Sequence, residues 1–196
     1  MKTAIELGCR CGKVKGALLS TDCLHLRCWC DSCMAFARWM ESRKAGSTRD
    51  CVDESLGTEV FQFFRDEVLL DAGHEFIVGT KLTRKTITVR YISKCCHTAL
   101  FSTPNSPSFV PIVAVFGSFI VNKASIRPFN GPVDYKLFAM GKAKEVQNGT
   151  MVRNGMHYIF LLRTFFRIVR GILFRKYTPN PAHQTEGGAT IIISDK

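Results

Sequence analysis

The spacing of apolar and polar residues predicts short β-strands along the first two-thirds of the chain. Residues 4–19 indicate a strand, a tight turn at Gly12 and a second strand, because glycine suits a sharp bend of the backbone. Leucines alternate with polar side chains over residues 23–28, and residues 86–92, which are β-branched and alternating, are the clearest strand. Residues 34–40 favour a short helix. The pattern therefore predicts a mainly β chain.

Two longer apolar segments extend this pattern. Residues 59–70 predict a strand and a neighbouring turn, and residues 109–121 predict strands with a bend, since they contain both proline and glycine. The second segment is too short to cross a bilayer, which takes about 20 residues. The polar residues 41–58 are expected to form a loop.

The C-terminal part of the chain has a helical pattern instead. Residues 157–177 are rich in bulky apolar side chains, and Arg163, Arg167 and Arg170 recur at helical spacing on one stripe. The arginines argue against a membrane-spanning helix. We expect an amphipathic helix that docks on the β core and has its apolar side chains covered. The alternatives are a helix on an anionic membrane surface and a helix that binds a protein partner.

Length and composition are compatible with a full hydrophobic core. The chain has 196 residues, of which 46% are hydrophobic. We expect a β domain over residues 1–125 and a C-terminal extension over residues 126–196 that carries the helix. The net charge of +11 favours anionic partners without specifying one. The sequence contains no nucleotide-binding glycine motif and indicates no specific nucleic acid, and it leaves the oligomeric state open.

The first residues suggest a reducing compartment. The segment 1–8 contains no apolar stretch of the kind found in signal peptides and includes the acidic Glu6, so a cytoplasmic location is expected. Disulfides are therefore a weak explanation for the nine cysteines, and a Cys-x-Cys disulfide would close a small, strained ring.

Most of the cysteines lie in three closely spaced groups. The groups are Cys9-x-Cys11, Cys28-x-Cys30-x-x-Cys33 and the pair Cys95-Cys96. Close-spaced thiolates can hold one metal ion, and zinc takes about four such ligands. We therefore predict one to two zinc ions per chain. Cys23 and Cys51 fit neither set and are expected to be buried and inert.

The order and spacing of these groups resemble the glutathione-dependent formaldehyde-activating enzyme family, whose domain also occurs in centromere protein V. The resemblance rests on Gly8-Cys-Arg-Cys-Gly12, Cys28-x-Cys30-x-x-Cys33 and Cys96, and covers roughly residues 5–120. It implies a small all-β fold of curved antiparallel sheets pinned by zinc, of the β-tent or Mss4-like type. Residues 1–125 would then form that zinc-binding domain.

The resemblance also implies a role for each cysteine group. Cys9, Cys11 and Cys96 would bind a structural zinc. Three further ligands, Cys28, Cys30 and Cys33, would hold a functional zinc with an open position for a substrate thiolate. Cys30, the middle residue of that trio, would be the mobile ligand that makes room for the substrate, which makes it the candidate catalytic residue.

The chain departs from the family pattern at the late Cys-x-x-Cys. A cysteine expected at position 93 is replaced by Ser93, and Cys95 adjoins Cys96 instead. Because neighbouring residues of a strand point to opposite faces, these two cysteines can share one ion only if the backbone kinks. We predict Cys95 as the fourth structural ligand, with Ser93 or water as alternatives. His97 is expected to be an ordinary loop residue rather than a ligand.

Two functions follow from the resemblance and the charge. The first is a carbon–sulfur lyase that joins a small thiol such as glutathione to a small aldehyde, or reverses that reaction. The second is a non-catalytic zinc module whose basic helix binds a membrane or a partner.

Arg27 and Arg38 flank the trio and are candidates for holding an anionic thiol, whereas Asp31 and Ser32 are expected to shape the local turn.

Overall fold

A small antiparallel sheet holds the first cysteine turn. The computed structural model describes residues 4–43, 57–105, 109–128, 135–137, 158–176, 181 and 190–193. Strands β1 (Ile5–Gly8), β2 (Lys15–Leu18) and β5 (Val68–Ala72) pair in the order β1–β2–β5. Gly12 has a φ of 74° in the turn between β1 and β2, a left-handed conformation that favours glycine.

A larger sheet forms the body of the protein. Its six longer strands are β3 (Asp22–Cys28), β4 (Thr58–Phe64), β6 (Ile77–Lys81), β7 (Thr88–Ser93), β8 (Ala99–Pro104) and β9 (Ile112–Phe116). Its short strands are β10 (Arg127–Pro128), β11 (Tyr135–Leu137) and β12 (Ile191–Ile192). The order is β10-β3-β4-β9-β8-β7-β6-β12, with β11 also paired to β3. The six longer strands pair antiparallel, and the short ones add in parallel.

The prediction of a mainly β chain is confirmed by these strands. β1 and β2 lie within residues 4–19, and β7 lies close to the strand predicted over residues 86–92. The short strands β10, β11 and β12 come from the predicted C-terminal extension, so that extension contributes to the large sheet. The loop expected over residues 41–58, including Cys51, lies mostly outside the described residues.

The main core lies where the two sheets meet. Both sheets contribute side chains that are fully buried, among them Leu7, Leu18, Phe63, Phe101 and Val113. Leu7 also forms a backbone bridge with Ile120. Burial of side chains of this size stabilises a fold by about 2–3 kcal/mol each. The core therefore fixes the small sheet, and with it the first cysteine turn, against the large one.

Helix α1 (Asp31–Ser42) covers another part of the large sheet. Its Phe36, Ala37 and Met40 are buried and belong to one apolar cluster with Ile92 and Phe116. The Cys30 side chain caps the helix by accepting a hydrogen bond from the backbone N–H of Cys33. The second cysteine group thus lies at the junction of β3 and α1.

Helix α2 (Tyr158–Leu173) lies against the large sheet with the opposite face from the one we expected. Of its described residues, Phe160 and Gly171 are buried, and most of its large apolar side chains are exposed. The Arg167 guanidinium lies 4.7 Å from the centre of the Phe64 ring and donates to the backbone carbonyl of Gln62. An arginine has an apolar stem and a planar head that stacks on aromatic rings, so the basic side can serve as the packing face.

No helix within the described ranges has the length and apolarity needed to span a membrane.

Candidate metal centres

Two turns from distant parts of the chain meet to form a four-cysteine cluster. The β1–β2 turn carries Cys9 and Cys11, and the turn after β7 carries Cys95 and Cys96. All four sulfur atoms lie within 4.8 Å of one another. The Sγ–Sγ distances include 3.6 Å for Cys9–Cys11, 3.3 Å for Cys11–Cys95 and 3.9 Å for Cys95–Cys96. A tetrahedral zinc with Zn–S near 2.3 Å places its sulfurs about 3.8 Å apart, so this donor set fits the ion.

The adjacent cysteines share the cluster because the backbone kinks. Strand β7 ends at Ser93, and the N–H of His97 donates to the Ser93 carbonyl to close a turn around the pair. His97 has a φ of 56°, a left-handed conformation unusual for a non-glycine residue. The kink that the sequence required is thus present, and both sulfurs reach the same cluster.

Hydrogen bonds around the cluster fix the orientation of its ligands. The N–H of Val14 donates to Cys9 Sγ, and Cys96 Sγ lies 3.3 Å from Ser93 Oγ and 3.2 Å from Thr98 Oγ1. Ser93 Oγ also accepts from the N–H of Thr98 at 2.9 Å. These contacts place Ser93 as a hydrogen-bonding neighbour of Cys96, a role that outer residues of metal sites commonly play.

The thiols of this cluster have different pKa values because their surroundings differ. Burial raises the pKa of Cys96, but hydrogen bonds with Ser93 and Thr98 outweigh it and bring the pKa to about 6. Burial together with the neighbouring thiols raises the pKa of Cys95. Burial also raises the pKa of Cys9. A bound cation would be needed to keep all of these sulfurs ionised together, as expected for a thiolate metal site.

A second cluster contains three cysteines. Cys28 is the last residue of β3, and Cys30 and Cys33 lie at the start of α1. Their three sulfur atoms also lie within 4.8 Å of one another. Cys28 is buried, whereas Cys30 and Cys33 are partly exposed. The cluster can therefore hold an ion with three thiolates while one side remains accessible from solvent.

Cys30 is the most acidic thiol of this cluster. Hydrogen bonds with Cys28 and Cys33 lower its pKa to about 2, and backbone N–H groups at the start of α1 act in the same direction. The same pairing raises the pKa of Cys28. A helix N-terminus stabilises a thiolate because its N–H groups and dipole favour negative charge. Of the three thiols, Cys30 is therefore the one whose thiolate form its surroundings favour most.

Arg90 is a residue near the trio that the sequence interpretation missed. It lies on β7, is buried, and donates from Nη2 to the Ser32 hydroxyl at 2.6 Å. Its guanidinium lies 5.2 Å from the centre of the Phe36 ring. A hydrogen bond with Cys28 and, to a smaller extent, the Arg90 charge lower the pKa of Cys33, but the hydrogen bond with Cys30 and burial outweigh them and raise it to about 11. The Nη1 atom of Arg90 is buried and has no hydrogen-bond partner in the described structure. A buried guanidinium with a spare donor can hold an anion beside the cysteines.

The other sequence candidates have different surroundings. Arg38 is exposed on α1, and Arg27 lies opposite Glu59 in the pairing of β3 with β4. Ser32, expected only to shape the turn, also accepts the Arg90 hydrogen bond. The sequence did contain one sign of a special role for Arg90, since this arginine lies in the middle of the strand predicted over residues 86–92.

The walls of the trio come from β3, β11 and α2. Cys30 and Cys33 pack against a buried cluster that includes Leu26, Leu137 and Phe160. Trp29 is buried, and its ring lies so close to Gly57 that a Cβ there would be 2.7 Å from it. Trp29 therefore has a packing role. The C-terminal helix reaches the same cluster through Phe160.

Comparison with known families assigns the chain to one family over nearly its full length. A family model matches residues 1–192, and the chain belongs to this family, described as a family of unknown function (DUF6151). No curated protein matches the sequence.

Proposed function

We propose that this member of the DUF6151 family is a zinc-dependent enzyme of the carbon–sulfur lyase type, acting on a small thiol such as glutathione and a small aldehyde. The observation that carries the proposal is the contrast between the clusters. One offers four sulfurs, which closes a tetrahedral site, and the other offers three on a partly exposed surface. Four-ligand zinc sites are structural, whereas three-ligand sites leave a position for chemistry.

The four-cysteine cluster would hold a structural zinc. Cys9, Cys11, Cys95 and Cys96 join the small sheet to the turn after β7, two parts of the chain more than 80 residues apart, as the separations of 84 and 86 residues show. Binding an ion there would contribute directly to folding because the unfolded chain has no preformed site.

The three-cysteine cluster would hold the functional zinc. Bound there, the ion would keep a substrate sulfur as the reactive thiolate. Cys28 is buried at the end of β3 and would stay in place, whereas the half-exposed Cys30 is stabilised as a thiolate by the start of α1 and can leave the ion. Arg90 offers a spare donor for an anionic group of the thiol or for oxygen charge on the aldehyde.

A non-catalytic zinc module is the second candidate. It is favoured by the exposed apolar side chains of α2, which are unusual for a small enzyme and typical of an interaction surface. In that case both ions would stabilise the β scaffold. The two candidates differ in whether a small thiol reaches the second metal.

Metal analysis tests the premise that both candidate functions share, namely that the chain binds zinc. Protein purified without added zinc should contain one to two equivalents of zinc per chain. Less than half an equivalent of any metal in a folded protein would contradict both candidates.

Cys9→Ser should abolish cooperative unfolding, whereas Cys30→Ser should leave a folded chain. The reverse result would exchange the roles of the two clusters.

Cobalt substitution tests the enzyme. Glutathione or another small thiol should change the thiolate-to-metal absorption of the cobalt protein. Arg90→Met should weaken this response about tenfold or more, while the exposed Arg38→Met serves as the matched control and should respond like the wild type. An unchanged spectrum with several thiols would leave the non-catalytic module as the better account.

A further inference from the structure

Helix α2 presents a continuous apolar face to solvent. Its outward side chains, which include Leu161, Leu162, Phe165, Phe166, Val169 and Leu173, are 37–73% exposed. At about 100° per residue, these positions fall within an arc of about 140° of the helix circumference. Contiguous apolar surface of this kind marks a site of interaction with a protein or a membrane.

The opposite face already fixes α2 on the domain. Phe160 is buried in the cluster beside the trio, and Gly171 lies so close to the sheet that a Cβ there would be 2.5 Å from Pro111. After the helix ends, Lys176 forms an ion pair with Asp66 at 3.0 Å. The outward arc is therefore not the face that holds the helix on the fold.

The charge around the arc has one sign. Residues 158–176 contain four arginines and one lysine and no acidic residue. Arg163, Arg167 and Arg170 line a cavity of about 230 Å³ along one flank of the helix, together with Asp22. Phe166 borders this cavity and also belongs to the outward arc. An apolar strip flanked by arginines is the arrangement of helices that lie in the interface of anionic bilayers.

We propose that α2 docks the protein on an anionic lipid surface. The apolar arc enters the boundary between headgroups and acyl chains, and Arg170, which is exposed at the edge of the arc next to Phe166, contacts lipid phosphates. A second copy of the chain fits the arc less well, because residues 158–176 carry only positive charges and two such helices face to face would repel each other. The proposal does not depend on the metal centres or on the enzyme activity.

Vesicle sedimentation with the full chain tests this docking. The wild type should bind vesicles of phosphatidylserine and phosphatidylcholine in equal amounts, bind pure phosphatidylcholine vesicles much more weakly, and lose binding as salt is raised. The double variant Leu162→Ser, Phe165→Ser should lower the partition coefficient about tenfold or more, because two exposed apolar side chains no longer enter the lipid. Both positions point away from the domain, so the fold should be unchanged.

A matched control uses an exposed apolar residue elsewhere. Ile87 is 71% exposed near the start of β7, and Ile87→Ser should bind vesicles like the wild type. Equal binding to both kinds of vesicle, equal binding by the double variant, or absence of binding would each overturn the proposal. Sedimentation velocity without vesicles tests the alternative that a second copy of the chain covers the arc. A dimer that the double variant abolishes would support that alternative and contradict lipid docking.

Discussion

Replacing Gly171 by alanine tests how closely α2 lies against the large sheet. A Cβ at this position would lie 2.5 Å and 2.6 Å from ring carbons of Pro111, and 2.9 Å from the Phe64 ring. Side chains do not approach this closely, and the proline ring cannot rotate away. Overpacking of this kind costs about 1–3 kcal/mol, whereas alanine in place of glycine gains about 1 kcal/mol of helix propensity. We expect a net loss of about 1 kcal/mol.

A control substitution separates the cost of steric overlap with the sheet from the gain in helix propensity. Val169 lies on the outward arc of the same helix, and Val169→Ala should stabilise the protein by about half a kcal/mol because alanine is the better helix former. Urea unfolding of both variants, with hydrogen exchange of the α2 amides, measures the difference. If Gly171→Ala stabilises the protein as much as Val169→Ala, the docked face of α2 is not the one described above.

Two further predictions concern a buried carboxylate and a neighbour of the four-cysteine cluster. Burial raises the pKa of Glu59, but hydrogen bonds from His25 and Lys123 outweigh it and lower the pKa from 4.5 to about 2. Its folded-state pKa is depressed, so it contributes about 3 kcal/mol above pH 4.5 that is lost as the pH falls toward 2. In urea titrations, Glu59→Gln should therefore destabilise the protein at neutral pH and lose its effect near pH 2; a pH-independent difference would contradict this. Thr98→Val should weaken zinc retention at the four-cysteine cluster about tenfold in a chelator competition, whereas Thr103→Val, equally buried on β8, should not.

The strands and the cysteine groups could be predicted from the sequence because their signals are local. Alternation over residues 23–28 and 86–92 led to β3 and β7, and close thiol spacing indicated where the clusters would form. The need for a kink at Cys95 and Cys96 also followed from strand geometry alone. That the kink uses His97 with a positive φ could not be predicted, because a non-glycine residue rarely adopts that conformation.

The features that the sequence interpretation missed depend on tertiary contacts. Helical spacing shows that α2 has two faces, but it does not show which face meets the sheet, and stacking of Arg167 on Phe64 turned the side that carries Arg167 inward. Arg90 became part of the candidate site only because β7 lies beside the start of α1 and brings it to Ser32. Neither contact could be predicted from the sequence, because neither produces a repeating pattern of apolar and polar residues.

Strand β7 also has a consequence for how the protein matures. It carries Arg90 toward the trio and leads directly into Cys95 and Cys96, with a register shift between Tyr91 and Ile92 on the way. A strand that slips by one residue turns every side chain to the other face. Capture of an ion by the four-cysteine cluster would hold the end of this strand in the register that turns Arg90 toward the trio. We therefore expect loss of the closed metal centre to weaken the open centre as well.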